Sequence, residues 1–170
     1  MGEMSLSASM MNDVVFEIAD LSATDRLGRL LAENLPDGSV VALVGTLGAG
    51  KTKLVQAIAK HSGYDEATVS SPTFVLLHEY TEGSRPIYHF DAYRLESVEE
   101  FRRLSPDDYF EGLGLTLIEW ADKFPQILPV HHLEIRIEPI GETKRCVQLI
   151  GRGIEYASVV SKIAQTMLKS

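Results

Sequence analysis

The chain has 170 residues, 45% of them hydrophobic and 24% charged, an ordinary composition for one globular domain with a sizeable core. Its formal net charge of −8 disfavours direct gripping of a nucleic-acid backbone, and the Arg102-Arg103 cluster is too small to suggest a basic face. No apolar run approaches the roughly 20 residues that cross a bilayer. The single cysteine, Cys146, excludes an intramolecular disulfide framework and fits a reducing cytoplasm. It lies in an apolar alternation and reads as core filler.

The first stretch, residues 1–12, has neither a basic n-region nor an apolar h-region. Gly2 follows Met1, but Leu6 stands where a myristoylation signal needs Ser or Thr. The stretch reads as a disordered leader, with the domain over residues 13–170. A short strand is expected at Phe16–Ala19, then a helix capped by Ser22 or Thr24. That helix carries the stripe Leu27, Leu30, Leu31 and Leu35 and ends at Pro36-Asp37-Gly38.

Val40–Val44 is a continuous apolar run, as a buried parallel strand would be. It enters Gly45-Thr46-Leu47-Gly48-Ala49-Gly50-Lys51-Thr52, which matches the phosphate-loop pattern G-x-x-x-x-G-K-[ST] at every fixed position. Leu54, Val55 and Ile58 then recur at helical spacing up to Ser62-Gly63. The chemistry needs these residue types. Glycines let successive N–H groups turn inward around phosphate oxygens, and the helix beginning near Lys51 points its positive end at the same anion. Lys51 supplies a mobile cation, and Thr52 a hydroxyl for Mg²⁺. The loop implies a nucleoside triphosphate.

Thr73–Tyr80 alternates as a strand, with Phe74, Leu76, His78 and Tyr80 on one side. After a turn at Glu82-Gly83-Ser84, Ile87–Asp91 forms a second strand, antiparallel because the connection is too short for a helical crossover. Ser97-x-x-Glu100 is a capping box for a short helix towards Leu104. Leu115–Ile118 is an apolar strand ending at Glu119. Strands at His132–Glu138 and Arg145–Ile150 flank a turn at Gly141, and Ile154–Leu168 is an amphipathic helix. The expected fold is a single α/β P-loop NTPase domain, with a mixed parallel and antiparallel sheet flanked by helices.

A phosphate loop alone hydrolyses nothing, since Mg²⁺ needs a carboxylate and the attacking water must be oriented. Glu119 and Asp91 end strands whose C-terminal edges can reach the crevice. The plain alternative for each is a solvated or capping carboxylate. Likewise, Ser70-Ser71-Pro72-Thr73 is either a turn into a strand or a hydroxyl-bearing segment that senses the γ-phosphate. His89 stands two residues from Asp91 on the same strand face and could bond that carboxylate or support the strand. Arg94 could neutralise phosphate or make an ordinary salt bridge. His78 and His131-His132 lack metal-ligand spacing. Nothing in the sequence marks an adenine pocket, and Ala121-Asp122-Lys123 lacks a guanine signature.

Gly45–Thr52, Ser71-Pro-Thr-Phe74, His89-Phe-Asp-Ala-Tyr-Arg-Leu95 and Ile118-Glu-Trp120, in this order and spacing, resemble the TsaE (YjeE) family. The resemblance runs from about Phe16 to about Leu149. It implies the ATPase component of bacterial tRNA threonylcarbamoyladenosine synthesis, with ATP/ADP and Mg²⁺ as cofactors and TsaD-like and TsaB-like partners. tRNA is then met only through the assembly, in the cytoplasm and away from membranes. The resemblance further implies Thr52 and Glu119 at Mg²⁺, Asp91 beside the metal and the attacking water, Ser71-Pro72-Thr73 as a switch-like segment, and Trp120 at the nucleotide's edge. Three departures stand out. Thr46 replaces a usual Asp, Ala92 a usual Leu, and Ser105-Pro106 a usual Leu-Gly step. Thr46 should face outward and leave ATP binding intact, whereas Ser105-Pro106 alters a local surface. Two other readings share the phosphate loop: a small-molecule kinase, for which no long arginine-bearing lid is visible, and a nucleotide-dependent interaction module that hydrolyses negligibly.

Overall fold

A computed structural model of the protein describes residues 12–169, so the leader expected over residues 1–12 lies outside the described residues except for Asn12. Seven strands form one sheet: β1 (Asp13–Ile18), β2 (Val40–Val44), β3 (Leu77–Tyr80), β4 (Ile87–Asp91), β5 (Leu115–Glu119), β6 (His132–Pro139) and β7 (Arg145–Arg152). Five α-helices accompany them: α1 (Leu21–Asn34), α2 (Lys51–His61), α3 (Val98–Arg102), α4 (Pro106–Phe110) and α5 (Ile154–Met167). The strand order is β1-β7-β6-β2-β5-β4-β3. β2 runs parallel to β5 and β6, and β4 parallel to β5, while β3, β7 and β1 pair antiparallel with their neighbours. The mixed sheet and the antiparallel β3–β4 and β6–β7 pairs are as the sequence led us to expect.

β2 and β5 are central and apolar at every position but Thr116 and the terminal Glu119, because both of their faces are covered. On one face, Leu27 and Leu31 of α1, Leu54 and Ile58 of α2, and Val160 and Ile163 of α5 pack on Val41, Leu43, Leu117 and Ile135. On the other, Phe101 of α3 and Phe124 pack on Phe90, Ile118 and Ala42. Each fully buried Leu, Ile or Phe contributes about 1.5–3 kcal/mol. The Val40 N–H donates to the Tyr156 hydroxyl (3.0 Å), tying the start of the phosphate-loop strand to α5. Arg85 donates to the Leu35 and Ala32 carbonyls (2.6 and 2.8 Å) and so satisfies the last turn of α1.

β1 runs over Asp13–Ile18, starting three residues before the strand expected at Phe16–Ala19, and three further elements depart from the sequence expectation. α1 starts one turn early, since the carboxylate of Asp20 accepts the Ala23 N–H at 2.9 Å and takes the capping role expected of Ser22 or Thr24. The strand expected from Thr73 begins only at Leu77. The N–H of Leu76 turns back to the Pro72 carbonyl at 2.6 Å, Leu76 has φ 71°, and Phe74 is 81% exposed. The hydroxyls of Ser71 and Thr73 pull this segment towards Asp91 and out of the sheet's path. Finally, Ser105-Pro106 opens a further helix, α4, with Pro at its first position and Asp107 and Asp108 in its first turn.

Candidate functional site

The parallel arrangement of β2, β4 and β5 brings their C-terminal ends to one edge of the sheet. Leu43 and Asp91 both sit in register with Glu119, and all three share the face that carries α2. The phosphate loop leaves β2 at this edge. Gly45 passes so close to β6 that a Cβ there would overlap the Ile137 carbonyl oxygen. Gly50, at φ 109°, takes the left-handed turn from which α2 starts. The loop residues from Leu47 to Thr52 line a cleft of about 350 Å³, together with Ser71, Thr73, Asp91, Tyr93, Glu119 and Trp120. Among the residues that the sequence singled out for the site, Gly45 and Thr46 stand outside that lining, and Thr46 is exposed as expected.

Those two residues act through their carbonyls, which accept hydrogen bonds from Lys51 Nζ at 2.7 and 2.9 Å. The same ammonium lies 4.0 Å from the centre of the Trp120 ring, a cation–π distance. Burial pulls the Lys51 pKa below its ordinary value, opposed by the negative charges of Glu119, Asp91 and Asp122. Trp120 adopts φ 59° and packs against Tyr93 in a tilted contact, with ring centroids 4.9 Å apart. The tryptophan thus sits between the loop's cation and the strand end that carries Asp91.

Thr52 Oγ1 donates to Glu119 Oε1 at 2.8 Å. A hydroxyl that spends its proton on a carboxylate turns its two lone pairs elsewhere. His89 Nε2 lies 2.9 Å from the same oxygen. The sequence reading left His89 between bonding Asp91 and supporting its strand; its partner is Glu119. Asp91 is otherwise engaged, since its Oδ2 accepts from Ser71 Oγ (2.7 Å) and Thr73 Oγ1 (2.8 Å) and its Oδ1 from the Tyr93 N–H (2.8 Å). Asp91 therefore ties the 71–73 segment directly to the cleft. Arg94 lies over the Phe74 ring at 4.2 Å, an aromatic partner that neither sequence reading foresaw. His132 is buried, with Nδ1 bonded to the Pro129 carbonyl at 2.7 Å and Nε2 without a partner, while His78 lies 3.1 Å from the Tyr80 hydroxyl, so only His78 fits the expectation of a satisfied histidine.

Hard oxygen donors around a phosphate loop suit Mg²⁺, which takes one or two protein carboxylates and completes its shell with phosphate oxygens and water. Among the described residues no cluster of three or more His, Cys, Asp and Glu could hold a metal by itself.

Two features escaped the sequence. Arg145 opens β7, and its Nε donates to the Ala49 carbonyl at 2.8 Å, bracing the outside of the phosphate loop across 96 residues of chain. Arg145 also borders a mainly apolar cavity of about 610 Å³, lined by Leu21, Thr24, Leu27, Leu54 and Ile137 and by loop residues 48–50. No local pattern announces either, because each depends on how the ends of β1, β6 and β7 meet α1 and α2. Cys146, expected as core filler, is only half-buried. No helix among the described residues is long and apolar enough to cross a membrane.

Known proteins resemble this chain in sequence and in fold. Residues 18–147 match the family model described as threonylcarbamoyl adenosine biosynthesis protein TsaE. The tRNA threonylcarbamoyladenosine biosynthesis protein TsaE of a Synechocystis strain is 44% identical over 120 residues, 68% of this chain and 75% of that protein. The protein of the same name from Bacillus subtilis is 35% identical over 142 residues, 84% of this chain and 88% of that one. The crystal structure of Bacillus subtilis YdiB superposes with a TM-score of 0.73 at 27% identity, covering 91% of this chain and 95% of that chain. With a P-loop NTPase fold and a family model that spans most of its length, the chain belongs to the TsaE family.

Proposed function

We propose that this protein is a slow Mg²⁺-dependent ATPase that supports threonylcarbamoyladenosine modification of tRNA. It would act in the cytoplasm as one component of an assembly with TsaD-like and TsaB-like proteins. Family membership supports the pathway. The observation that carries the chemistry is the Thr52–Glu119 hydrogen bond at the mouth of the phosphate loop. It leaves the hydroxyl's lone pairs free for a cation while keeping the carboxylate beside it. Thr52 and Glu119, with Asp91 next to them, would hold Mg²⁺, which supplies charge neutralisation at the β- and γ-phosphates.

In this reading the chain's own residues bind, orient and sense. The N–H groups of the loop and the positive end of α2 take the phosphates. Lys51 gives up carbonyls of its own loop and the Trp120 face for the terminal phosphates. Water attacks the γ-phosphorus, the bond to the bridging oxygen breaks, and ADP and inorganic phosphate leave. Asp91 keeps Ser71 and Thr73 at the cleft, so that a hydroxyl there can change partners when the γ-phosphate is present. The apolar cavity that shares residues 48–50 with the phosphate cleft is where the base would lie, flanked by Leu21 and Ile137. A net charge of −8 suits a component that reaches tRNA through its partners.

Lys51→Ala tests the reading. Losing a charge-assisted contact of about 1.5–3 kcal/mol should weaken ATP binding roughly ten- to a hundredfold. The same variant should fail to support tRNA modification in a reconstituted assay with both partners. Unchanged ATP affinity would contradict the phosphate-loop assignment. ATP binding by the wild type without phosphate release, even with partners present, would favour the interaction module instead.

A further inference from the structure

His89 is fully buried on β4, and its ring makes one hydrogen bond, from Nε2 to Glu119 Oε1. Its Nδ1 is buried without a partner. A proton on Nδ1 would be a buried donor with nothing to receive it, so the tautomer that fits carries its proton on Nε2 and donates to Glu119. Glu119 Oε1 then accepts two hydrogen bonds, from Thr52 at 2.8 Å and His89 at 2.9 Å. They come from two different elements, one from the first turn of α2 and one from the neighbouring strand β4. No hydrogen bond engages Glu119 Oε2 among the described residues. A carboxylate with one oxygen pinned twice has lost its freedom to rotate about its last bond, and its other oxygen is aimed.

We infer that His89 is a positioning residue of the cation site, holding Glu119 so that one carboxylate oxygen orients Thr52 and the other is left for the metal. The inference rests on the Mg²⁺ role proposed above for Thr52 and Glu119. His89 does not touch nucleotide or metal, and it acts through Glu119 alone. Residues that orient a metal-binding carboxylate in this way typically change metal affinity or activity about 10–100-fold when altered. A histidine that merely filled space on β4 would have no such effect.

The experiment measures ADP and a non-hydrolysable ATP analogue binding to the full chain by calorimetry, once in excess Mg²⁺ and once in EDTA. The ratio of the two affinities isolates the cation's contribution. In His89→Leu, which fills the site but donates nothing, that ratio should fall about tenfold while affinity in EDTA stays near wild type. In His89→Gln, whose amide N–H can reach the position of Nε2, the ratio should be largely restored. If His89→Leu does not fold, as judged by thermal unfolding, His89→Asn replaces it, since its shorter amide does not reach Glu119. A wild-type ratio in the Leu or Asn variant overturns the proposal. So does an equal loss in the Gln variant, or a loss that is the same with and without Mg²⁺. A wild-type protein whose nucleotide affinity ignores Mg²⁺ would instead remove the metal reading itself, and the positioning role with it.

Discussion

Glu119 and Glu134 are both buried glutamates on strands that flank β2, on opposite faces of the sheet, and their surroundings treat the negative charge in opposite ways. Glu134 is matched where it stands. Arg136 Nε lies 2.5 Å from one oxygen and Arg152 Nη2 2.9 Å from the other. Burial by itself would raise its pKa, but the hydrogen bonds from Arg136 and Arg152 outweigh burial and hold it below the ordinary glutamate range. Glu119 accepts from a threonine hydroxyl and a histidine, with Lys51 acting on it only at longer range. Hydrogen bonds fix its position without supplying a paired guanidinium. A buried carboxylate whose charge is already paired braces a fold, whereas one that is held but not neutralised is ready for a cation.

The sharpest way to break this contrast is to remove the charge of Glu119 and keep its shape. Glu119→Gln should lower ATP hydrolysis about 100-fold while leaving ADP affinity in EDTA nearly intact, as steady-state phosphate release and calorimetry would show. Normal turnover would transfer the metal role to Asp91. Next in size comes Asp91→Asn, expected to slow hydrolysis roughly tenfold by loosening Ser71 and Thr73, with ATP binding and the fold retained. If that variant unfolds, or loses ATP and ADP alike, Asp91 is a structural anchor and the switch reading fails.

Glu134→Gln tests the other side of the comparison. Because both arginines are about half exposed, the expected cost is only about 1 kcal/mol in urea unfolding at neutral pH, with hydrolysis unchanged. The sign in acid follows from its depressed pKa. The Glu134 contribution is present above the ordinary glutamate pKa and is lost as pH falls through the lower folded-state value. The gap between wild type and variant should therefore close in acid, and a gap independent of pH would argue against the ion-pair account.

The smallest expected effect is spectroscopic. Trp120 is the chain's one tryptophan, and the Lys51 ammonium sits 4.0 Å from its ring centre. Drawing that ammonium to a phosphate should change the emission. If the γ-phosphate engages Thr73 as a switch, Mg²⁺–ATP and Mg²⁺–ADP should differ, and Thr73→Ala should erase the difference. Identical spectra for the two nucleotides in the wild type, with binding confirmed, would count against the switch and leave the phosphate loop untouched.

Much of this molecule was legible because its physics is local. The glycines of residues 45–50, the Lys51-Thr52 pair and the apolar run before them are contiguous, so a loop–helix junction that can wrap an anion follows from their order alone. Burial on both faces marked β2 and β5 as continuous apolar runs, alternation marked β6 and β7, and helical spacing of apolar residues marked α5. Alternation misled at Thr73–Leu76, where hydroxyls bound to a distant carboxylate outweigh the strand pattern. It gave no hint of α4, whose five residues are too few to show a period. What tertiary structure alone decided were the pairings between residues far apart in the chain: His89 with Glu119 and not Asp91, Asp91 with Ser71 and Thr73, Arg145 on the back of the phosphate loop, and the cavity between α1 and residues 48–50. Each depends on strand order and register, which bring together groups far apart in the chain, 96 positions in the case of Arg145 and Ala49. No pattern within a single segment encodes such a distance, because sheet order is settled by the burial of all the strands at once.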